Sequence, residues 1–270
     1  MNHGAVGSVV SLWRYPVKSM MGEELNAADI GSGGLLGDRA YALVDRSDGK
    51  IASAKNPKKW PGLFSFRAVL TAVPKPGASM PPARITLPDG TLVSSDQSGT
   101  NEILSVALQR EVALLADVRA AQAEEYWLDI EGLDKRDTVT DFEIPEGTFF
   151  DAAAVHLLTT ATLDRLRELY PQGRFEARRF RPNIVVETPA AGFVENEWIG
   201  KVLSIGDQVR LSITGPCPRC VMTTLAQGDL PHDTGILKTA VKHNGAGVGV
   251  YAAVVQGGRV RRGDHVMQVD

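Results

Sequence analysis

The chain has 270 residues and a formal net charge of −3, with 43% hydrophobic and 23% charged residues. That is the composition of an ordinary soluble globular protein with one large or two modest cores, and two domains are expected. The near-neutral balance gives no general field for nucleic acid or an anionic membrane, so any phosphate must be held by a local basic pocket. No charged N-terminal segment leads into an apolar run, and no stretch approaches the roughly 18 apolar residues of a membrane span, so a cytoplasmic protein is expected.

In chain order, residues 6–15 are β-branched and aromatic and predict a first strand that stops at Pro16. Lys18 and Ser19 then place a cation and a hydroxyl just past a strand end, where loop residues commonly carry chemistry or simply face solvent. Residues 31–37 are glycine-rich but fit neither nucleotide fingerprint, because they lead through Asp38 and Arg39 into a strand over 40–45 where both motifs need a helix. A turn is expected there, and the same holds for Gly245–Gly249 ahead of a strand over 250–255. Ser47-Asp-Gly49 and Pro88-Asp-Gly90 predict hairpin turns among strands near 41–45, 51–54, 66–73, 84–87 and 91–94. Residues 74–82 read as a proline-rich surface loop. Ile103, Leu104 and Leu108 share one face of a helix over about 100–109, and a domain boundary is expected soon after it.

Residues 118–150 are polar and acidic, with Asp134-Lys-Arg-Asp137 and Pro145-Glu-Gly147, and read as a connector or a long loop over the site. A short strand over 155–158 follows. Thr159 and Thr160 then cap a helix carrying Leu163, Leu166 and Tyr170, which ends at Pro171-Gln-Gly173. Two hydroxyls at a helix N-terminus serve as a cap, and they also suit an anion. Arg178-Arg-Phe-Arg-Pro-Asn183 runs into a strand over 184–187. Arg181 and Asn183, two apart, would share a face of extended chain and could grip a phosphate and a heterocycle edge together. The last third is strand-rich.

The stretch Thr214-Gly-Pro-Cys-Pro-Arg-Cys-Val-Met-Thr-Thr224 holds both cysteines of the chain. Pro216 and Pro218 fix φ and remove backbone donors, which predicts a rigid extended loop rather than a helix interior or a central strand. Arg219 between the thiols favours thiolate over thiol. Structural zinc needs four ligands, and His232 and His243 follow at spacings unlike common zinc modules. A dithiol redox pair normally sits where a strand meets a helix, which the flanking prolines oppose. Zinc and a dithiol stay open as weaker readings beside two inert structural cysteines and, ahead of these, a single thiolate that ligates a soft metal or accepts sulfur.

Trp13-Arg-Tyr-Pro-Val-Lys-Ser19, Gly37-Asp-Arg39, Phe180-Arg-Pro-Asn-Ile-Val185 and Cys217-Pro-Arg-Cys-Val-Met-Thr-Thr224, in that order, resemble the motifs of the MOSC family, most closely its amidoxime-reducing members and their bacterial counterparts. Gly257-Gly-Arg-Val-Arg-Arg-Gly-Asp264 matches that family's closing strand turn. The resemblance spans nearly the whole chain. It implies an α+β, mainly β fold, with a MOSC N-terminal β-barrel-like domain at 1–117 and a β-barrel-based MOSC domain with a few helices at 118–270. It further implies a molybdenum cofactor of the molybdopterin type, with Cys220 as the metal ligand and catalytic residue. Pro218 and Arg219 match contacts to the pterin, Lys18, Ser19, Arg39 and Arg181 match the grip on phosphate and pterin, and Asn183 matches a pterin amide contact. Thr159 or Thr160, here taken as Thr160, adds a hydroxyl. Where relatives carry Arg or Gln in the loop at 53–56, this chain has Ser-Ala-Lys-Asn.

The activity so implied is reduction of N-hydroxylated or N-oxygenated small molecules, with a non-catalytic carrier of the cofactor or of persulfide sulfur as the alternative. Two cysteines, one of them assigned to molybdenum, cannot hold an iron-sulfur cluster, and no nucleotide fingerprint is present. With the sequence ending at Asp270, electrons are expected from a separate flavin or iron-sulfur protein.

Overall fold

The computed structural model describes residues 4–116, 123–127, 139–143, 149–150 and 152–269. The first strand, Ala5–Arg14, turns Val9 and Leu12 inward. Along its length it pairs with Ile184–Glu187, with His265–Val269 and, through its last residues, with Glu23–Leu25. From Ile184–Glu187 the order runs through Val155–Thr159, Gly247–Gln256, Val209–Pro218, Val202–Ile205 and His265–Val269 to Ala5–Arg14. The bond from Ala5–Arg14 back to Ile184–Glu187 closes these seven strands into a barrel. A closed sheet has no open edge, and its lumen is packed with Val9, Leu12, Leu157, Ile184, Leu203, Ile213 and Val250.

Every neighbouring pair in the barrel is antiparallel except Val155–Thr159 with Ile184–Glu187. Parallel neighbours need a long crossover, and the helices Thr160–Leu169 and Ala177–Phe180 supply it. The cap expected at Thr159 forms, since its hydroxyl oxygen accepts from the Thr162 amide at 3.1 Å. The register Leu12 to Ile184 to Leu157 places Tyr15, Asn183 and His156 at one end of the barrel.

A second core gathers Tyr41, Leu43, Trp60, Phe64, Phe66, Ile85 and Leu104 beneath small sheets of the N-terminal half. Arg67–Leu70, Ala83–Thr86 and Leu92–Ser94 form one of these, and Ala42–Asp45 pairs with Val112–Leu115. Helix Thr100–Leu108 buries Leu104, with Ile103 and Leu108 against the same core. The chain's closing segment ties the halves together, because Gly258–Arg261 pairs with Ala27–Gly31.

Several expectations change. Only Ile51 of 51–54 makes a β-bridge, to Val44 and Glu124, because the following residues turn inward at Ser53 and Lys55. Within 118–150 the strands Ala123–Trp127 and Val139–Glu143 form an antiparallel pair, while Asp134-Lys-Arg-Asp137 and Pro145-Glu-Gly147 lie outside the described residues. Gly235–Asn244 is a helix that the strand-rich reading of the last third did not include. Arg181 is not extended: it caps helix Ala177–Phe180 in the left-handed region at φ 53°.

Candidate functional site

At that end of the barrel lies a cavity of about 280 Å³, close to the lower bound for small-molecule sites. The barrel side contributes His156, Phe180, Arg181, Asn183, Cys217, Pro218, Arg219, Cys220 and Tyr251, and the other side Arg39, Lys55, Tyr126 and Phe150.

The cysteine stretch reaches this cavity as the end of a strand, which corrects the expectation of a loop. Val209–Pro218 runs ten residues and keeps its pairing to Gly247–Gln256 as far as Pro218. Its other neighbour, Val202–Ile205, pairs no further than Ser212, so the prolines fall where only one side of the strand is bonded. Register shifts between Ile213 and Gly215 and between Pro216 and Pro218 absorb the missing donors. Cys217 is buried. Cys220 is partly exposed. Cys220 is held by its carbonyl, which accepts from the Thr223 amide at 3.1 Å and the Thr223 hydroxyl at 3.0 Å.

Arg219 serves first as a brace. Its Nε donates to Val248 O at 3.0 Å, Nη1 to Phe180 O at 3.0 Å, and Nη2 to Val248 O at 2.5 Å and His156 Nε2 at 2.6 Å. A guanidinium only donates, so His156 Nε2 accepts and its proton sits on Nδ1. Burial, reinforced by the charge of Arg219, holds His156 well below the usual histidine range, and the ring is neutral. Arg179, fully buried, spans the carbonyls of Arg174, Thr223, Leu225 and Pro231 and so ties the chain after Cys220 to the crossover.

The Gly37-Asp-Arg39 and Phe180–Val185 motifs meet through Asp38. Its carboxylate accepts from the Tyr15 amide at 2.7 Å and Asn183 Nδ2 at 2.9 Å and pairs with Arg39. Asn183 Oδ1 accepts in turn from the His156 amide at 3.0 Å. The guanidiniums of Arg39 and Arg181 lie 4.7 Å and 4.1 Å from the Tyr15 ring centre, in cation–π range. Burial pushes the Tyr15 phenol up, against the opposing pull of Arg181 and Arg39. Arg39, distant in sequence from Arg181 and Asn183, thus lines one site with them and with Pro218, Arg219 and Cys220.

Other expected residues sit elsewhere. Lys18 is buried beneath the cavity, its Nζ 2.9 Å from Phe149 O and 3.3 Å from Glu124. Glu124 is 0% exposed and also takes Lys55 Nζ at 2.5 Å. Ser19, at φ 62°, accepts from the Ala54 amide at 3.0 Å and so fixes the loop that carries Lys55. Thr159 is buried against Glu195 at 2.6 Å, and neither it nor Thr160 lines the cavity. Lys55, Tyr126, Phe150, His156 and Tyr251 were not singled out from sequence. Lys55 lay in the loop noted for its departure from relatives, whereas His156 reads as an ordinary strand residue until Arg219 is folded against it. Among the described residues no three His, Cys, Asp or Glu side chains converge as a metal-ligand set.

These features define a class. A MOSC N-terminal beta barrel domain model matches residues 6–142 and a MOSC domain model matches residues 145–267. The chain belongs to the MOSC family. It is similar to mitochondrial amidoxime reducing component 2 of Bos taurus, at 25% identity over 257 residues covering 86% of this chain and 69% of that protein. The Rattus norvegicus protein of the same name is 26% identical over 243 residues, with the same coverage of 86% and 69%. Among solved structures, the YuaD protein of Bacillus subtilis aligns over 97% of this chain and 94% of that chain, at TM-score 0.49 and 11% identity. Among the described residues no helix is long and apolar enough to cross a membrane.

Proposed function

We propose that this protein binds a molybdenum cofactor of the molybdopterin type and reduces N-hydroxylated or N-oxygenated small molecules with electrons from a separate flavin or iron-sulfur protein. The observation that carries this reading is the convergence of one partly exposed thiol, Cys220, with the guanidiniums of Arg39 and Arg181 in a single cavity. The donor set fits such a group. A lone soft sulfur suits a metal that brings its remaining ligands with it, and cations beside it suit an anionic organic carrier. The name carried by both curated relatives supports the substrate class.

When bound, the cofactor would supply two-electron removal of oxygen, in which an N–O bond is broken with two electrons and two protons and water leaves. Cys220 would hold the metal as thiolate. Arg181, fixed by its bond to Met20 O at 2.6 Å, and Arg39, fixed by Asp38, would orient the anionic part of the cofactor. Asn183 would offer its amide edge, and Pro218 and Arg219 the rigid backbone that aims the thiol. Lys18, Ser19 and Thr160 would support this grip from behind the cavity wall. Tyr126, Phe150 and Tyr251 would exclude water and form the substrate wall, with Lys55 among them. Two cysteines cannot hold both molybdenum and a cluster, so electrons would arrive in trans.

The test is a pterin assay with metal analysis on purified protein, followed by reduction of an N-hydroxylated substrate with reduced viologen, with a reductase pair and with NADH alone. Pterin with molybdenum, and turnover with the first two donors only, is the expected result. Turnover with NADH alone overturns the in-trans claim. Cofactor-loaded protein that never turns over with viologen is the outcome that favours a carrier.

A further inference from the structure

The stretches 208–228 and 234–263 contain no Asp or Glu, although the chain as a whole carries a net charge of −3. The first holds Cys220 and the second the helix Gly235–Asn244. That helix turns Ile236 and Ala240 into the core and leaves Lys238, Val241 and Lys242, at i, i+3 and i+4, on its outer face, with His243 exposed beside them. Val241 is 41% exposed, an apolar centre within a cationic rim. The carboxylate that precedes the helix, Asp233, is engaged at its opposite end, where Oδ1 accepts from the Gly235 amide at 2.8 Å.

Both ends of the helix are bonded to residues flanking Cys220. Ahead of it the Asp233 amide donates to Thr224 O at 2.8 Å, and after it Ala246 O accepts from the Arg219 amide at 2.8 Å. Its body packs on the turn Val221–Thr224. From Gly245 the exposed surface continues to Pro218, which pairs with Gly247 and lines the main cavity. The outer face therefore lies about one helix diameter, on the order of 10 Å, from the turn that follows Cys220. We propose that this face docks the acidic surface of the electron-donor protein, with Lys238 and Lys242 steering the approach and Val241 at the centre of contact. The inference rests on the reductase reading above, which requires such a partner. Opposite potentials steer encounter and fix orientation, so the cationic rim selects an acidic protein. Two lysines around one valine are too few cations for the several phosphates that binding to nucleic acid neutralises.

The experiment measures binding of an acidic flavodoxin to the protein as purified, at low and high salt, beside turnover of N-hydroxylated substrate with reduced viologen. Binding is expected to weaken with salt and to fall about tenfold in Lys242→Glu and in Val241→Glu, with viologen turnover unchanged. Both side chains are exposed and the buried face of the helix is untouched, so both variants should fold, and an unchanged melting temperature checks this. Arg84→Glu, the same charge reversal on an exposed residue of Ala83–Thr86 over the other core, should leave binding as it was. Absence of flavodoxin binding, binding indifferent to Lys242→Glu and Val241→Glu, or an equal loss in Arg84→Glu overturns the proposal. Polyglutamate binding as tightly as flavodoxin also overturns it, by reducing the face to a general anion surface. Normal viologen turnover beside any of these results leaves the reductase reading standing, whereas cofactor-loaded protein that fails with viologen defeats that reading and this inference with it.

Discussion

On the barrel wall of the main cavity Arg179 and Arg219 donate to backbone carbonyls of Thr223, Leu225, Pro231, Val248 and Phe180, whereas on the opposite wall Lys18 and Lys55 close on the carboxylate of Glu124. The difference is one of charge. A carbonyl is a neutral acceptor, so a guanidinium braced by it keeps its full positive field, while a carboxylate cancels much of the charge it binds. Attraction for an anion therefore comes chiefly from the barrel side. The N-terminal side contributes shape, and a buried ion cluster whose integrity depends on every member.

The strongest test of that contrast is at the thiols. Cys220→Ser is expected to abolish reduction of N-hydroxylated substrate with viologen, because an alcohol is a harder and far less acidic ligand, while Cys217→Ser keeps part of the activity. Equal loss in both, with cofactor still bound, would point to a dithiol mechanism. Glu124→Gln comes next in size. Two buried ammonium groups would lose the carboxylate they share, and chemical denaturation should show a loss of about 3–5 kcal/mol. The triple replacement Lys18→Met, Lys55→Met, Glu124→Met should recover most of it, and failure to do so would mean the cluster holds the fold by more than charge.

Arg181→Ala should lower pterin occupancy by removing a charge-assisted hydrogen bond worth roughly 1.5–3 kcal/mol. Arg39→Ala, its guanidinium shared with Asp38, should do so less, and Lys18→Ala, with its charge already met by Glu124, least. The reverse order would move the anion grip to the N-terminal wall. Full pterin occupancy in all three would reduce these cations to structural charge.

The smallest effect is a pH dependence. The native pKa of His156 is depressed, so its stability contribution is present above the unfolded value and is lost as pH falls below about 6.5, when the unfolded chain takes the proton and the folded one does not. Glu195 has the opposite sign. Burial raises its pKa against the Thr159 and Thr162 hydrogen bonds, so its contribution is present at low pH and is lost as pH rises through the raised value. In melting curves across pH, His156→Gln should flatten the acid side and Glu195→Gln should raise stability at neutral pH. An unchanged acid limb in His156→Gln would show that Arg219 tolerates a charged ring beside it.

Elements fixed by short-range chemistry were legible before folding. Thr159 as a cap, the turns at Gly49 and Gly90, the face of Ile103, Leu104 and Leu108, and most strand cores follow from local propensity and periodicity, and the family motifs marked Cys220, Arg39, Arg181 and Asn183. Only the tertiary structure decided what those groups are bonded to. Pro216 and Pro218 entered a strand because its second neighbour stops at Ser212, and no local signal carries that. The barrel closes through Ala5–Arg14 and Ile184–Glu187, segments far apart in the chain. Glu124, in a stretch that looked like a connector, took both lysines, and His156 is held below the usual histidine range by burial, reinforced by Arg219 folded onto it from the end of another strand. Charge compensation and desolvation depend on distances between segments, and those distances exist only once the two cores are packed.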